Sequence, residues 1–404
     1  MINNIAVQPI LLTMTATATP TDDITATTNS WLTNSEKMNT LIGRMADAAP
    51  QTDDDGTFPE RVFSWLADAG LLAITLPGGE LDDKLPNTVR LLQLLKRIGT
   101  GNLAVGRVYE GHINALNLIS LYATADQKRT WHDDSLRHHR LFSVWNTQAN
   151  DGVRIHAVGN GRYVLYGSKT FCSGSGWIQR PLVTGDLIGA EQTGWQMCIV
   201  PTERVNVIPQ DARFWQPLGM RASVSYKLDF TGVELGEDDL LGQPGDYFQQ
   251  PHFSGGAIRF AAVQLGGAEA LFDATRALLV SMNRTDDVFQ KTRLAEMSYL
   301  IESGNQWIDT AGRKTDEWRT RGDEAGRIVA YANMTRTAIE EICLRVMQLA
   351  ERSVGARGLM RPLPFERIHR DLTFYLRQPA PDATLADIGQ FVLKNETDGH
   401  ALWR

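Results

Sequence analysis

From about residue 30 to residue 125 the apolar positions recur at helical spacing. Val62, Trp65, Leu66 and Ala69 share one face, as do Leu91, Leu92, Leu95 and Ile98. Pro59 stands in the first turn of the first of these helices and Gly70 near its end, while Asn87 or Thr88 is placed to cap the second. Around Leu141 the pattern changes to short alternating segments. Arg154 to Val158 and Arg162 to Phe171 flank Gly159-Asn160-Gly161, residues that tolerate positive φ, which predicts a hairpin. Trp195 to Pro201, Val205 to Ile208 and Ser225 to Phe230 read as further strands, and the turn spacing gives a small antiparallel β domain of about ninety residues. After His252 the helical period returns in Ile258 to Met282, Thr292 to Trp318 and Glu324 to Ser353, with Gly355 and Gly358 where the last of these must stop. The expected fold class is α+β, mostly α: an N-terminal helical domain over 31–137, a central antiparallel β domain over 138–242, and a C-terminal four-helix bundle over 243–404. Residues 1–30, rich in Thr and Ala with Pro9 and Pro20, read as a flexible N-terminal arm.

Composition narrows the class. A chain of 404 residues suits two or three packed units, and 43% hydrophobic with 22% charged residues is the balance of a soluble globular protein. No run approaches the ~18 consecutive apolar residues that a membrane span requires. A cytoplasmic protein without a membrane partner is expected, since the N-terminus also lacks the positively charged start of a secretion signal. The net charge of -7 comes without a basic tract, which argues against nucleic acid as a partner. Cys172, Cys198 and Cys343 cannot all pair, so a reducing compartment fits. His138 and His139 are adjacent, but their setting, Asp133 to Arg140, reads as a solvated charged loop, and no ligand spacing for a metal is present. Neither a Gly-x-Gly-x-x-Gly after a strand nor a Walker loop occurs, so a Rossmann enzyme is not expected.

Four local motifs, in order, carry a resemblance. They are Tyr163-Val-Leu-Tyr-Gly-Ser-Lys-Thr-Phe-Cys-Ser-Gly174; Trp215-Gln-Pro-Leu-Gly-Met-Arg-Ala-Ser223; Arg259 with Gly266-Gly267; and the Gly355-Ala-Arg-Gly358 turn followed by Arg370-Asp371. Beyond residue 35 the chain resembles the acyl-CoA dehydrogenase superfamily. The resemblance implies an FAD held between the β domain and the C-terminal bundle, with part of the site supplied by a neighbouring subunit, hence a homodimer or homotetramer. Backbone N–H groups of the Gly355 to Gly358 turn are then placed for a pyrophosphate with Arg357 supplying charge, unless the turn is a plain helix C-cap. Phe171 offers the flavin ring an aromatic face, and the Ser173 hydroxyl or N–H a bond near N5. Thr147, in Phe142-Ser-Val-Trp-Asn-Thr-Gln148, occupies the place of the superfamily's first flavin-contacting strand, and Arg284 is the nearest equivalent of an arginine that reaches a partner's FAD.

The catalytic carboxylate of that superfamily is missing. Where it is expected the chain reads Leu376-Arg-Gln-Pro-Ala-Pro-Asp-Ala-Thr384, so the candidates are Asp382 as a base, or else the N-cap of a terminal helix, and Arg377 as a binder of an anionic group. The Thr-Glu-Pro and Gly-Ser-Asp elements associated with CoA thioesters are also absent near Thr147. A second branch, related to dibenzothiophene monooxygenase, is similar at Phe171-Cys-Ser-Gly-Ser175, and His112 in Tyr109-Glu-Gly-His-Ile-Asn114 matches a histidine of that branch, unless it is a satisfied interior histidine, while Arg377 replaces another histidine. The resulting expectation is an FAD-dependent oxidoreductase dehydrogenating a specialised small molecule or acyl group, with hydride transfer to flavin N5 and an electron-transfer partner. The alternatives are a monooxygenase that uses reduced flavin from a flavin reductase together with oxygen, and a flavin-binding protein without turnover.

Overall fold

The computed structural model describes residues 31–203, 208–209, 214–322, 324–377 and 379–404; the expected arm over 1–30 and most of the expected strand Val205 to Ile208 lie outside them. The first unit holds α1 (Ser35–Asp55), α2 (Glu60–Asp68), α3 (Thr88–Gly101), α4 (Leu103–Tyr122) and α5 (Ala125–Leu136). Asn87 occupies the N-cap position of α3 without using its side chain. Its work is done by Asp316, which accepts from the Thr88 N–H at 3.1 Å and from the Thr88 hydroxyl. A carboxylate at a helix N-terminus is favoured by the helix dipole, and it can arrive from a distant segment that sequence spacing does not reveal.

The strands are β1 (Phe142–Trp145), β2 (Arg154–Gly159), β3 (Arg162–Tyr166), β4 (Ser168–Cys172), β5 (Arg180–Ile188), β6 (Gly194–Ile199), β7 (Ile208–Pro209), β8 (Tyr226–Asp229), β9 (Glu234–Gly236) and β10 (Leu240–Leu241). The hairpin turn at Gly159, Asn160 and Gly161 has positive φ at all three positions. Two features differ from the expected antiparallel layer. The stretch read as one strand, Arg162 to Phe171, is broken at Gly167 (φ 106°), and β4 leaves for a second sheet in the order β4-β8-β7. The larger sheet is mixed: β5 pairs parallel with β1 and β2 but antiparallel with β6. Parallel pairing needs a long crossover, which β1 and β2 obtain from the segments that separate each from β5.

The C-terminal unit comprises α6 (Ala257–Ser281), α7 (Val288–Arg321), α8 (Ala325–Gly358), α9 (Phe365–Tyr375) and α10 (Pro381–Lys394). One apolar core runs through all three layers, joining Leu92 and Ile98 of α3, Val183 of β5 and Val263, Ile339 and Val346 of the bundle. The stretch Asp133 to Arg140 is not the solvated loop expected. Half of it is the end of α5, and Asp134, 7% exposed, accepts from Arg180 at 2.6 Å, with Arg180 and Arg140 both reaching Glu203. Charged residues are buried here because each finds its counter-ion, a condition invisible in the local pattern.

The first helical unit is joined to the bundle where α3 and α6 cross at backbone contact. A Cβ on Gly99 would lie 2.3 Å from the Val263 carbonyl oxygen, and one on Gly266 would lie 2.1 Å from that of Lys96. Lys96 and Glu269 seal the crossing with a 2.9 Å ion pair. The Gly266-Gly267 pair noted in the sequence thus serves helix packing. Gly266→Ala should destabilise the protein by roughly 2–4 kcal/mol, because two helix backbones must separate; a urea midpoint equal to that of the parent would show that the crossing tolerates a methyl group.

Candidate active site

Between the β layer and the helices lies a cavity of about 700 Å³. Its β wall is made by Val144, Asn146 and Thr147 after β1, by Phe171 and Ser173 at the end of β4, and by the loop from Trp215 to Ser225. Its helical wall is made by Arg107, Glu110 and Asn114 of α4, Phe260 of α6 and Phe374 and Tyr375 of α9.

The β wall is built from strained backbone. Among the described residues seven non-glycine positions have positive φ; Phe171 (54°), Met220 (58°) and Val224 (36°) belong to this wall, and Ala380 (46°) borders the cavity from the turn before α10. Phe171, Met220 and Pro379, the neighbour of Ala380, line the cavity, as do Ser223 and Ser225 on either side of Val224. Each such residue costs about 1–3 kcal/mol and persists only where its surroundings hold it. For Phe171 the cause is a register shift of β4 against β8 between Lys169 and Cys172, a bulge that leaves Lys169 and Cys172 inside and turns the phenyl ring to the cavity. The ring meets Phe214 and Trp215 edge-on at 5.4 and 6.4 Å between centroids, and Trp215 meets Phe374 in the same way at 5.6 Å.

The holding groups come from α9. Asp371 accepts from the Met220 N–H at 2.5 Å, and a Cβ on Gly219 would lie 2.2 Å from the Arg370 carbonyl oxygen. Burial pushes the Asp371 carboxyl up to about 6, with Arg367 at 3.8 Å and the Met220 N–H acting in the opposite sense. Arg370 in turn donates to the Leu218 carbonyl at 3.1 Å and to Asp53 at 2.7 Å. Two motifs far apart in the chain, Leu218-Gly-Met-Arg221 and Arg370-Asp371, are therefore two halves of one joint.

Hydroxyls run along the β wall: Ser223 and Ser225 lie 2.8 Å apart, and Ser225 donates to Ser173 at 2.9 Å. Behind it Lys169, fully buried, donates to the Asn146 carbonyl (3.0 Å), Gln148 (2.6 Å) and Thr184 (3.2 Å). All three partners are neutral oxygens, and burial brings its ammonium down to about 8. On the opposite wall the Glu110 carboxylate, 2% exposed, accepts from Arg107 at 2.7 Å and from Asn114, whose own oxygen accepts from Arg259. The Tyr375 hydroxyl is buried beside this cluster and has no hydrogen-bond partner among the described residues.

Of the residues singled out from the sequence, Thr147, Phe171, Ser173 and Arg377 line the cavity. Arg377 does so at its rim, paired with Glu340 of α8. Asp382 does not. Pro381 opens α10, so Asp382 stands exposed in its first turn, and it is neither a base in the cavity nor the helix N-cap, a position held by Ala380. His112 is also outside the cavity. It is fully buried, with Nε2 donating to the Leu72 carbonyl (2.7 Å) and Nδ1 accepting from the Phe142 N–H (3.0 Å), and burial pulls it down to about 4. Arg284 pairs with Asp287, the N-cap of α7, at 2.9 Å and does not line the cavity. Gly355 (φ 62°, ψ −173°) kinks the last turn of α8, and neither it nor Arg357 or Gly358 faces this cavity.

The sequence reading passed over Arg107, Glu110, Asn114, Asn146 and Tyr375. A signal was available for three of them. α4 is apolar on nearly all sides, and charged side chains in such a helix require buried partners or a lined cavity.

Residues 258–376 match the family described as acyl-CoA dehydrogenase, C-terminal domain. A dibenzothiophene monooxygenase of Mycolicibacterium goodii is 24% identical over 93% of this chain and 97% of its own length. Among solved structures, FMN-bound TdsC from Paenibacillus sp. A11-2 superposes with a TM-score of 0.81 at 18% identity, covering 91% of this chain and 98% of that one. Butyryl-CoA dehydrogenase from Megasphaera elsdenii gives 0.75 at 20% identity, covering 89% and 98%. The chain has the acyl-CoA dehydrogenase fold, and the superfamily resemblance read from its motifs holds.

The placement of His112 makes a pH prediction. Its folded-state value near 4 lies below the ordinary 6.5, so its contribution to stability is complete above pH 6.5 and is lost as pH falls towards 4, on the order of 3 kcal/mol at most. His112→Gln should flatten that part of the stability curve measured by urea titration at pH 4 to 7; an unchanged slope would show that the imidazole titrates freely.

Proposed function

We propose that the protein is a flavin-dependent oxidoreductase working on a small organic molecule in the cavity between α4, α9 and the β wall, and that oxygen insertion with reduced flavin is its reaction. Bound there as the reduced form, a flavin supplies the electrons and the site at which oxygen is activated. The cavity fits such a group: it is large enough for a tricyclic ring beside a small substrate, and its β wall combines flat aromatic edges with hydroxyl and backbone donors, as conjugated ring systems with polar edges require. Thr147, Phe171, Ser173, Trp215 and Ser223 are the residues that would hold it. Arg284, Gly355, Arg357 and Gly358 lie off this cavity, and their part in binding is towards a flavin held by a second copy of the chain, in a homodimer or homotetramer.

The observation that carries the choice of reaction concerns the carboxylates. Glu110 is the only one among the described residues lining the cavity, and both of its oxygens are occupied by Arg107 and Asn114. Abstraction of a proton next to a carbonyl needs a free base, whereas oxygen insertion with reduced flavin does not. Relatives described as dibenzothiophene monooxygenase and as acyl-CoA dehydrogenase match at the same level of identity, so the choice rests on the carboxylates. Dehydrogenation with hydride transfer to flavin N5 is the second reading, favoured by the presence of Glu110 itself should Arg107 release it when substrate enters. A flavin reductase is the partner of the first reading and an electron acceptor of the second.

The test is a flavin titration under anaerobic conditions followed by exposure to air. The expected result is weak retention of oxidised FMN or FAD through purification, tighter binding of the reduced form, and a rate of reoxidation by oxygen that differs from that of free flavin. Trp215→Ala should weaken the binding of reduced flavin by roughly tenfold through loss of an aromatic wall. A tightly yellow protein that bleaches without oxygen on addition of an acyl thioester would replace oxygenation by dehydrogenation, and absence of any flavin binding would remove both.

A further inference from the structure

The inner wall of the cavity carries more positive charge than its one carboxylate can balance. Arg107 and Arg377 line the cavity, and Arg259 stands directly behind Asn114. Glu340 neutralises Arg377 and Glu110 neutralises Arg107, which leaves the Arg259 guanidinium in excess. Arg319, the other cation near it, has Asp316 and Asp83 for company. Burial lowers Arg259 only to about 10, so it remains charged at neutral pH.

Donors are also in surplus. The side chain of Arg107 is 24% exposed to the cavity and spends one Nη1–H bond on Glu110, out of the five N–H groups that a guanidinium has. The Tyr375 hydroxyl, on a residue only 1% exposed, has no acceptor among the described residues. Its backbone carbonyl accepts from Gln264 at 3.0 Å, which fixes the end of α9 and leaves the ring torsions to packing. A buried hydroxyl without a partner costs about 1–3 kcal/mol, a cost removed when the ring turns to present the hydroxyl to an incoming acceptor. Around these donors the walls are apolar and aromatic, with Phe253, Phe260, Phe374 and Tyr247.

We infer that this end of the cavity is the subsite for an anionic group of the substrate, and that the substrate class is a small aromatic acid whose carboxylate-sized anion meets Arg107 and Tyr375 while its ring lies among Phe253, Phe260 and Phe374. The inference rests on reading the cavity as the substrate site and does not depend on which flavin reaction occurs there. Glu110 is then a positioning residue that holds Arg107, and Asn114 holds Glu110 while it accepts from Arg259.

Naphthalene-2-carboxylate and its neutral carboxamide are suitable probes, compared by calorimetry on the purified protein with the flavin it retains. The carboxylate should bind at least tenfold more tightly. Arg107→Gln should abolish that preference, and Tyr375→Phe should weaken the carboxylate by about tenfold without lowering the thermal midpoint, since the deleted hydroxyl has no partner to lose. Equal affinity for the two probes, binding of neither, or an unaffected Tyr375→Phe variant overturns the subsite. Flavin content read by absorbance on the same samples keeps the two readings apart: protein that binds flavin but shows no acid preference sinks the subsite alone, and protein that prefers the acid but takes up no flavin sinks the flavin assignment alone.

Discussion

The joint between α9 and the loop from Trp215 to Ser225 is the constraint on which the rest of the site depends. Gly219 lets the loop backbone touch that of Arg370, and the buried Asp371 carboxylate pins the Met220 N–H. With the loop held there, Met220 and Val224 keep conformations that neither adopts readily. The loop then carries Trp215, Ser223 and Ser225 to the cavity wall, and α9 carries Phe374 and Tyr375 to the opposite side. One close contact between backbones thus sets the width of the gap between β layer and bundle. Leucine, methionine or alanine at position 219 would force that gap open, so the glycine is explained by contact and not by turn geometry.

The opposite wall follows from the burial of charge in α4. A helix packed on all sides is an expensive place for Arg107, Glu110 and Asn114, and they persist because each engages the next and the last engages Arg259 of the bundle. His112 in the same helix shows the purely structural solution: both ring nitrogens are used by backbone groups, and nothing is left for a ligand. The contrast between His112 and Arg107 separates a polar residue that finishes a core from one that leaves donors facing a cavity.

Much of the fold was legible in the residues themselves. The periodicity located α2, α3 and the three long helices of the bundle, and Gly159-Asn160-Gly161 located the hairpin, because local spacing and turn chemistry are short-range properties. Phe171 and Ser173, which line the cavity, were singled out through the run Phe171-Cys-Ser-Gly174, although the bulge that aims Phe171 at the cavity was not legible. Whether Asp382 and His112 face the cavity was not legible, for one reason. Whether a carboxylate or an imidazole faces a cavity, solvent or a backbone partner depends on segments remote in the chain, here Pro381 and α10 for the first and the Leu72 and Phe142 backbone for the second.

What the sequence alone determined was the order of helical, β and helical units and the two motifs that turned out to be halves of one joint, since both are written in patterns a few residues long. What tertiary structure alone decided was which polar groups are spent on one another and which are left over. Asp316 capping α3 and Asp134 meeting Arg180 are settled by contacts across 228 and 46 positions of chain. Charge and hydrogen bonding are balanced in space, and a linear pattern records only the groups to be balanced and not their partners.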